Sequence, residues 1–482
     1  MPLLRHAGSC AKAGWLCAAL MAGCASASKQ TPVAMLPPSP PAARLAETLQ
    51  PASSSTNHGS PRARSPEFTV VNFEEPAAGV DSSAGDGEEL FSGQAELALP
   101  ALVSAIQQRN QSLQAVLAAW GAAVERFPQV VALEDPTLQT MFAPASFSSS
   151  TIQSSYILGI AQKLPWSGKR ELRGQVAQWQ AIAASLDYDE AQLRLAETAR
   201  LAYYEFYYVH RQLEINDAGL AAVQSFRDTA NSKFIASQVT QQDVLQADVE
   251  LAQLEQRRVE IDQARQVAIA RINTLLHREP QLHLPPPPVQ IEISGALPDV
   301  DALRAIAVEK RPDLAAMGAR LGAEQNELSL MYKDYYPDFE LMGKYDTFWT
   351  DPAQRAQVAM NLNIPLNQNR RQAAVREATF RVNKMQAEYN QQLDTVRSEV
   401  QVAGARLSAS RRTLDLYINK LLPATQANVA AATSGYEAGT VDFLRLIQAQ
   451  REFIELNDKY QMAIVEYLRN RAELDRVVGA AW

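Results

Sequence analysis

Two spacings of apolar residues alternate along this chain, and their order predicts its elements. "DFELMGKYD" sets Phe339, Leu341, Gly343 and Tyr345 against Glu340, Met342, Lys344 and Asp346, the period-two pattern of a half-buried strand. "QVAMNLNIP" repeats it, with Val358, Met360, Leu362 and Ile364 opposed to Gln357, Ala359, Asn361 and Asn363. A weaker copy lies earlier, with Tyr156, Leu158, Ile160 and Leu164 against Ile157, Gly159, Ala161 and Lys163. Its partner strand is expected within 138–150. After Pro165, and again after Pro365, the spacing turns helical. Leu172, Val176, Trp179, Ala183, Leu186 and Leu193 follow a four-three rhythm, as do Val375, Ala378, Val382, Met385, Tyr389 and Val396, the seam of coiled-coil packing. Proline suits the change, because its fixed φ and missing N–H fit a first helical turn. No proline interrupts 166–279. A helix over 167–235 would be roughly 100 Å long at ~1.5 Å per residue, so it must pack lengthwise against others.

The plan is written twice. "ALVSAIQQRNQSL" from Ala101 aligns without gaps on "ALRAIAVEKRPDL" from Ala302, pairing Leu102 with Leu303 and Leu113 with Leu314. "FIASQVTQQDVLQA" from Phe234 aligns on "YEAGTVDFLRLIQA" from Tyr436, and Pro165 on Pro365. Separate anchors at nearly one offset mark a tandem duplication. The expected organisation is a first repeat over 96–284, a proline-rich linker over 285–298 and a second repeat over 299–482. Each repeat reads helix, two strands, very long helix, return helix.

Ahead of the repeats, Arg5, His6 and Lys12 precede the apolar run "AGWLCAALMAG". That run is too short to span a bilayer and reads as a secretory signal over 1–23. Residues 24–95 are rich in Pro, Ser, Ala and Gly and cannot bury enough apolar surface to offset their ordering entropy, so a disordered tether is expected. All three cysteines, Cys10, Cys17 and Cys24, lie in this leader region, and cleavage before Cys24 leaves no pair for a disulfide.

Composition narrows the function by exclusion. A net charge of −8 from 45 basic and 53 acidic residues gives no basic stripe, so no nucleic-acid partner is expected. "SGK" at Ser167–Gly168–Lys169 lacks the upstream glycine of a phosphate-binding loop, and Arg170 stands where Ser or Thr is required. The five histidines have no cysteine or i, i+4 partner to complete a metal site. Neither catalysis nor a cofactor nor a bound metal is expected. Lys169, Arg170, Arg370 and Arg371 fall just outside the strands; they fit either a membrane edge, where cations meet anionic headgroups, or ordinary solvated positions.

The order and spacing of these features resemble the TolC-like outer membrane efflux proteins. The carriers are "RPDL" at Arg311, the strand–proline junctions at Pro165 and Pro365, "YEAGT" at Tyr436 and the following "LIQAQ". "LPWSGKR", with Gly168, is similar to the branch that serves heavy-metal pumps. "MAGCAS" similarly resembles a lipobox, which implies a lipid anchor on Cys24 in the bacterial outer membrane. The family resemblance implies a mainly α fold with a small transmembrane β part, four strands per chain, long antiparallel coiled-coil hairpins and a large periplasmic helical body. It implies a homotrimer with a twelve-stranded barrel and an α-helical tunnel, working with a periplasmic adaptor and an inner-membrane pump of RND type. The helix–helix turns would form the periplasmic entrance. By that carry-over Asp243 matches the first-repeat acidic gate position, whereas Arg445 and Gln448 stand at the two second-repeat acidic positions. Asp442 and Glu437 are the nearby acids that would substitute. Asp243 also fits a plain helix N-cap. Phe234, Ser237, Tyr436, Gly439 and Thr440 are the expected adaptor-contact tips, with Gly439 in the left-handed turn region and Ser237 giving the first tip a different shape. The implied function is an efflux duct, heavy-metal cations favoured. A multidrug or type I secretion outlet and a non-channel coiled-coil lipoprotein are the other readings.

Overall fold

The computed structural model describes residues 90–91, 93–148, 155–291, 293 and 299–479. The expected signal peptide, Cys24 and nearly all of the tether lie outside the described residues. In the first half, helices α1 (Leu99–Arg109), α2 (Gln111–Val124) and α3 (Arg126–Val131) lead to strands β1 (Thr137–Phe142) and β2 (Tyr156–Leu164). Then come α4 (Lys169–Ile235), 67 residues without a break, and the return helix α5 (Gln241–Leu275). The second half repeats the order with α6 (Val300–Lys310), α7 (Pro312–Lys333), β3 (Phe339–Asp346), β4 (Ala356–Leu362), α8 (Gln368–Leu416), α9 (Leu422–Glu437) and α10 (Phe443–Val478). The fold is mainly helical with one small sheet.

A π-turn at Tyr417–Leu421 joins α8 to α9, and the N–H of Leu422 bonds to the carbonyl of Tyr417. The cause is Pro423, which has no N–H to give the carbonyl four residues earlier; the widened turn absorbs the loss. The first half has no such proline, and α4 runs straight through.

The sheet is antiparallel, in the order β1-β2-β3-β4, so β2 of one half pairs with β3 of the other. Register places Leu158 opposite Tyr345, Ile160 opposite Gly343 and Leu164 opposite Phe339. Leu341 then faces Met360, and Gly343 faces Val358. One face therefore carries the apolar set in phase, because side-chain alternation holds as long as register holds. The other face carries Gln139, Lys344, Gln357, Asn361 and their neighbours.

The largest core lies among the helices, where Leu102, Ile106, Tyr203, Phe206, Ile272, Leu407 and Leu474 are buried together. Helix α4 is wrapped by α1, α2, α3, α5, α7 and α10, and its buried positions near the sheet are Lys169 and the small residues Gly174, Ala177 and Ala183. The expected two-sided seam is therefore too narrow for α4: small residues let several helices approach it, and Trp179 lies across Gly322 of α7. In α8 the expected seam holds, with Ala378 and Val396 fully buried and the remaining seam residues half-buried. No described helix is long and apolar enough to cross a membrane.

Candidate functional site

Two places carry the chemistry: the sheet with its helix junctions, and the helix turns at the opposite end of the long hairpins. At the first, the apolar sheet face is uncovered. Leu138 is 70% exposed, Val358 82% and Met360 65%. Strands β1 and β4 are edges with no described neighbour. In water such edges invite pairing, and in lipid an open edge is not tolerated.

The β2–α4 junction is built across the two halves. Pro165 follows β2 directly, and Gly168 caps α4 with φ +86°, a left-handed conformation that admits glycine without a Cβ penalty. Trp166 stacks on Tyr336 and Phe339, with ring centroids 5.2 and 5.5 Å away. Its N–H donates to Asp338 Oδ1 at 2.8 Å. The Lys169 side chain is 4% exposed and its Nζ reaches Asp338 at 3.0 Å and Asp334 at 3.2 Å. Arg170 donates to the Val131 carbonyl at 2.7 Å, closing the end of α3. Arg371 does the same to Asp334 at the end of α7, also at 2.7 Å. Lys169, Arg170 and Arg371 are thus engaged by the fold rather than simply solvated. Of the four, Arg370 stays exposed. Pro365 follows β4, and Asn367 rather than glycine caps α8, accepting from the Arg370 N–H at 3.1 Å.

At the other end, α4 ends at Ile235 and α9 at Glu437. Gly439 has φ +77°, and Ser237 has φ +57°. Ser237 therefore takes the same left-handed conformation as the glycine, and the expected difference in tip shape is not a difference in backbone class. Thr240 precedes α5 as its cap, and Asp243 sits three residues on, with its N–H bonded to the Thr240 carbonyl at 3.2 Å. Asp243 is thus a first-turn acid and not the N-cap; a carboxylate there favours the positive helix end. Asp442 is the N-cap of α10: it accepts from the Arg445 N–H at 3.2 Å, and its carboxylate lies 3.7 Å from the Arg445 guanidinium. Gln448 and Glu437 are exposed, as are Phe234 and Thr440.

The residue that ties the two tips together was not singled out from the sequence. Lys233, in the last turn of α4, donates to the Tyr436 and Glu437 carbonyls that end α9, the latter at 3.0 Å, and its ammonium lies 4.7 Å from the Tyr436 ring centre. Tyr436 is buried edge-on against Phe443. Burial, with the Asp243 carboxylate second, pushes the Tyr436 hydroxyl up to about 12. Lys233, Asp243, Tyr436, Glu437, Gly439 and Asp442 line one cavity of 640 Å³. A basic residue in a last helical turn is the signal that could have found Lys233.

Residues 303–480 match the family model described as outer membrane efflux protein. The cobalt-zinc-cadmium resistance protein CzcC of Cupriavidus metallidurans is 28% identical over 179 residues, which are 36% of this chain and 41% of that protein. The chain thus spans about two fifths of the length of that curated relative. Among solved structures, the outer-membrane channel OprN superposes with a TM-score of 0.67 at 22% identity, covering 82% of this chain and 92% of OprN. The open-state MtrE outer membrane channel of Neisseria gonorrhoeae gives 0.67 at 17%, covering 80% and 89%. CusC, from a study of folding and transmembrane channel formation, gives 0.65 at 15%, covering 79% and 92%. The chain is thus similar to the outer membrane efflux proteins over residues 303–480, where their family model matches, and its two described halves together share the fold of the solved channels OprN, MtrE and CusC.

Proposed function

We propose that this chain is the outer membrane duct of a tripartite efflux system, assembled as a homotrimer. The carrying observation is the sheet, with four described strands, an uncovered apolar face and two edges that have no described neighbour. Three copies would close one twelve-stranded barrel and remove every edge. The nine residues of β2 reach the lower end of the about 9–11 that a tilted membrane strand uses. Aromatic residues flank that band: Trp166 and Tyr336 at the helix end, Tyr156, Tyr345, Phe348 and Trp349 at the far end. Exposed Leu245, Val249, Val259 and Val267 on α5 supply an apolar stripe for a neighbouring copy's helices.

In this reading the duct is passive and needs no cofactor. Outer membrane lipids surround the barrel, and a lipid on Cys24 adds an anchor. The tips around Lys233 and Tyr436 form the periplasmic entrance, where Asp243, Glu437 and Asp442 favour cations and an adaptor docks beneath an inner-membrane pump of RND type. The likeness to a cobalt-zinc-cadmium resistance protein favours divalent metal ions as cargo. A susceptibility panel on a strain lacking the gene tests the reading. Sensitivity to zinc, cobalt or cadmium, restored by the gene, supports a metal outlet. Sensitivity to lipophilic drugs alone replaces metals with drugs. A purified chain that stays monomeric and passes no current in bilayers removes the channel.

A further inference from the structure

The contact between the two halves inside one chain specifies the contact between chains. Three offsets relate the halves around the sheet. The long helices and the pair α2 and α7 differ by 201 positions, as Leu113 and Leu314 do. Strands β2 and β4 differ by 200, as Pro165 and Pro365 do, and β1 and β3 by 203, as the capped carbonyls of Val131 and Asp334 do. These offsets carry the Thr137–Ala161 pair of the first hairpin onto Glu340–Asn361, which is the pair seen in the second.

Applied to the seam between the halves, the same offsets turn each observed contact into one whose two members lie apart in a single chain. Lys169 on Asp338 becomes Arg370 on Asp135, and both of these are exposed, with no side-chain partner among the described residues. The charge complementarity survives the transformation. Trp166 on Tyr336 becomes Leu366 on Leu133, which are 82% and 41% exposed. Trp179 over Gly322 becomes Phe380 over Gly121: Phe380 is 71% exposed, and a Cβ at Gly121 would meet nothing within 4 Å. Each half-contact is present and lacks its other half.

We infer that adjacent copies join second half to first half through this same seam, with Arg370 paired to Asp135 of the neighbouring copy and β4 paired antiparallel to the neighbour's β1. Leu158 opposite Tyr345 maps to Val358 opposite Phe142 of the neighbouring copy, and Ile160 opposite Gly343 maps to Met360 opposite Thr140. Ala161 opposite Met342 maps to Asn361 opposite Gln139. Across the junction Val358, Met360 and Phe142 fall on one face and Asn361 and Gln139 on the other, an arrangement that a one-residue slip would break. The inference rests on the trimeric channel reading and fixes its interface residue by residue.

Paired cysteines in the full-length protein test the register, since directly opposed strand residues lie within disulfide reach and those displaced by two do not. Gln139→Cys with Asn361→Cys should oxidise to a covalent trimer on denaturing gels. Met141→Cys with Asn361→Cys should stay mostly monomeric there, as should each single variant. Thr140→Cys with Met360→Cys, on the other face, guards against a variant that fails to assemble. Arg370→Asp should lower the temperature at which the native trimer dissociates, and adding Asp135→Arg should restore it. A native trimer that crosslinks through the displaced pair, or a charge swap without rescue, overturns the interface and leaves the channel standing. A wild-type chain that is monomeric in membranes overturns the channel reading itself.

Discussion

Arg311 shows what a single position does in this fold. Its guanidinium is buried, bidentate to Asp313 at 2.9 and 2.7 Å, paired to Glu399 of α8 and near the Val477 carbonyl at the end of α10. One cation thus joins four helices. Its counterpart Asn110 does the lighter version of the task, donating to the Leu275 carbonyl at the end of α5 at 3.2 Å. Burial opposes ionisation of Asp313, but the Arg311 pair, the Leu314 N–H and Gln392 outweigh it and hold the carboxyl below its ordinary value. A depressed carboxyl stabilises the fold above about pH 4, its ordinary unfolded value, and that contribution is lost as pH falls through the lower folded value. Asp313→Asn should therefore cost about 3 kcal/mol at neutral pH, because it leaves a buried cation short of a partner. The acid limb of the stability profile, followed by circular dichroism, should flatten. An unchanged limb would remove Asp313 from the ledger of acid-sensitive groups. "RPDL" was legible in the sequence as a family mark; its work as a four-helix clamp was not, because Glu399 lies 88 positions away and no local pattern points to it.

At the scale of elements, the junction and the tip give opposite lessons. The "PWSGKR" stretch reads as a mark of metal-serving relatives, yet the polar groups in it that the structure pairs hold the β2–α4 junction to the other half, through Trp166 and Lys169, or to α3, through Arg170. Trp166→Ala or Lys169→Ala should then reduce the yield of assembled trimer, with Lys169→Ala costing about 2 kcal/mol from its lost charged hydrogen bonds and buried stem, since Asp334 and Asp338 remain half-exposed to water. The ratio of metal to drug resistance in surviving cells should not move; a shift in that ratio would return the motif to a role in cargo choice. The strands and long helices were legible because their period is their physics. The break in the second long helix was also written in the chain, as Pro423, but a proline inside a helical rhythm signals an end or a kink equally, and the π-turn decides between them. At the tip, Lys233 holds α4 to the last carbonyls of α9. Lys233→Ala should loosen that clasp by about 1 kcal/mol. In bilayers it should raise conductance, while Lys233→Arg keeps it low. Equal conductance in all three proteins would make the clasp irrelevant to opening.

At the scale of the whole molecule, a trimer would multiply whatever each tip carries into a ring, so the sign of a few side chains sets the entrance. The chain presents Asp243, Glu437 and Asp442 there, but Asp442 is engaged as a helix cap beside Arg445, and Gln448 is neutral. The sequence placed these residues at one end of the molecule. It could not tell which acid remains available, since capping depends on the turn that Val441 and Asp442 adopt. Asp243 is then the principal acidic contribution from the first half, and Glu437, exposed beyond the Lys233 clasp, that from the second. Charges at a constriction act on a permeating ion through a low-dielectric wall and lose strength as salt screens them. Arg445→Asp should therefore deepen cation preference and Asp243→Asn should weaken it, both most strongly below roughly 0.1 M salt, where the screening length exceeds ~10 Å. Reversal potentials across bilayers in asymmetric potassium chloride read the effect directly. If Arg445→Asp shifts the potential and Asp243→Asn does not, the entrance field belongs to the second-half tips alone. If neither moves it, the narrowest point of the duct lies elsewhere, and the tips serve docking rather than selection.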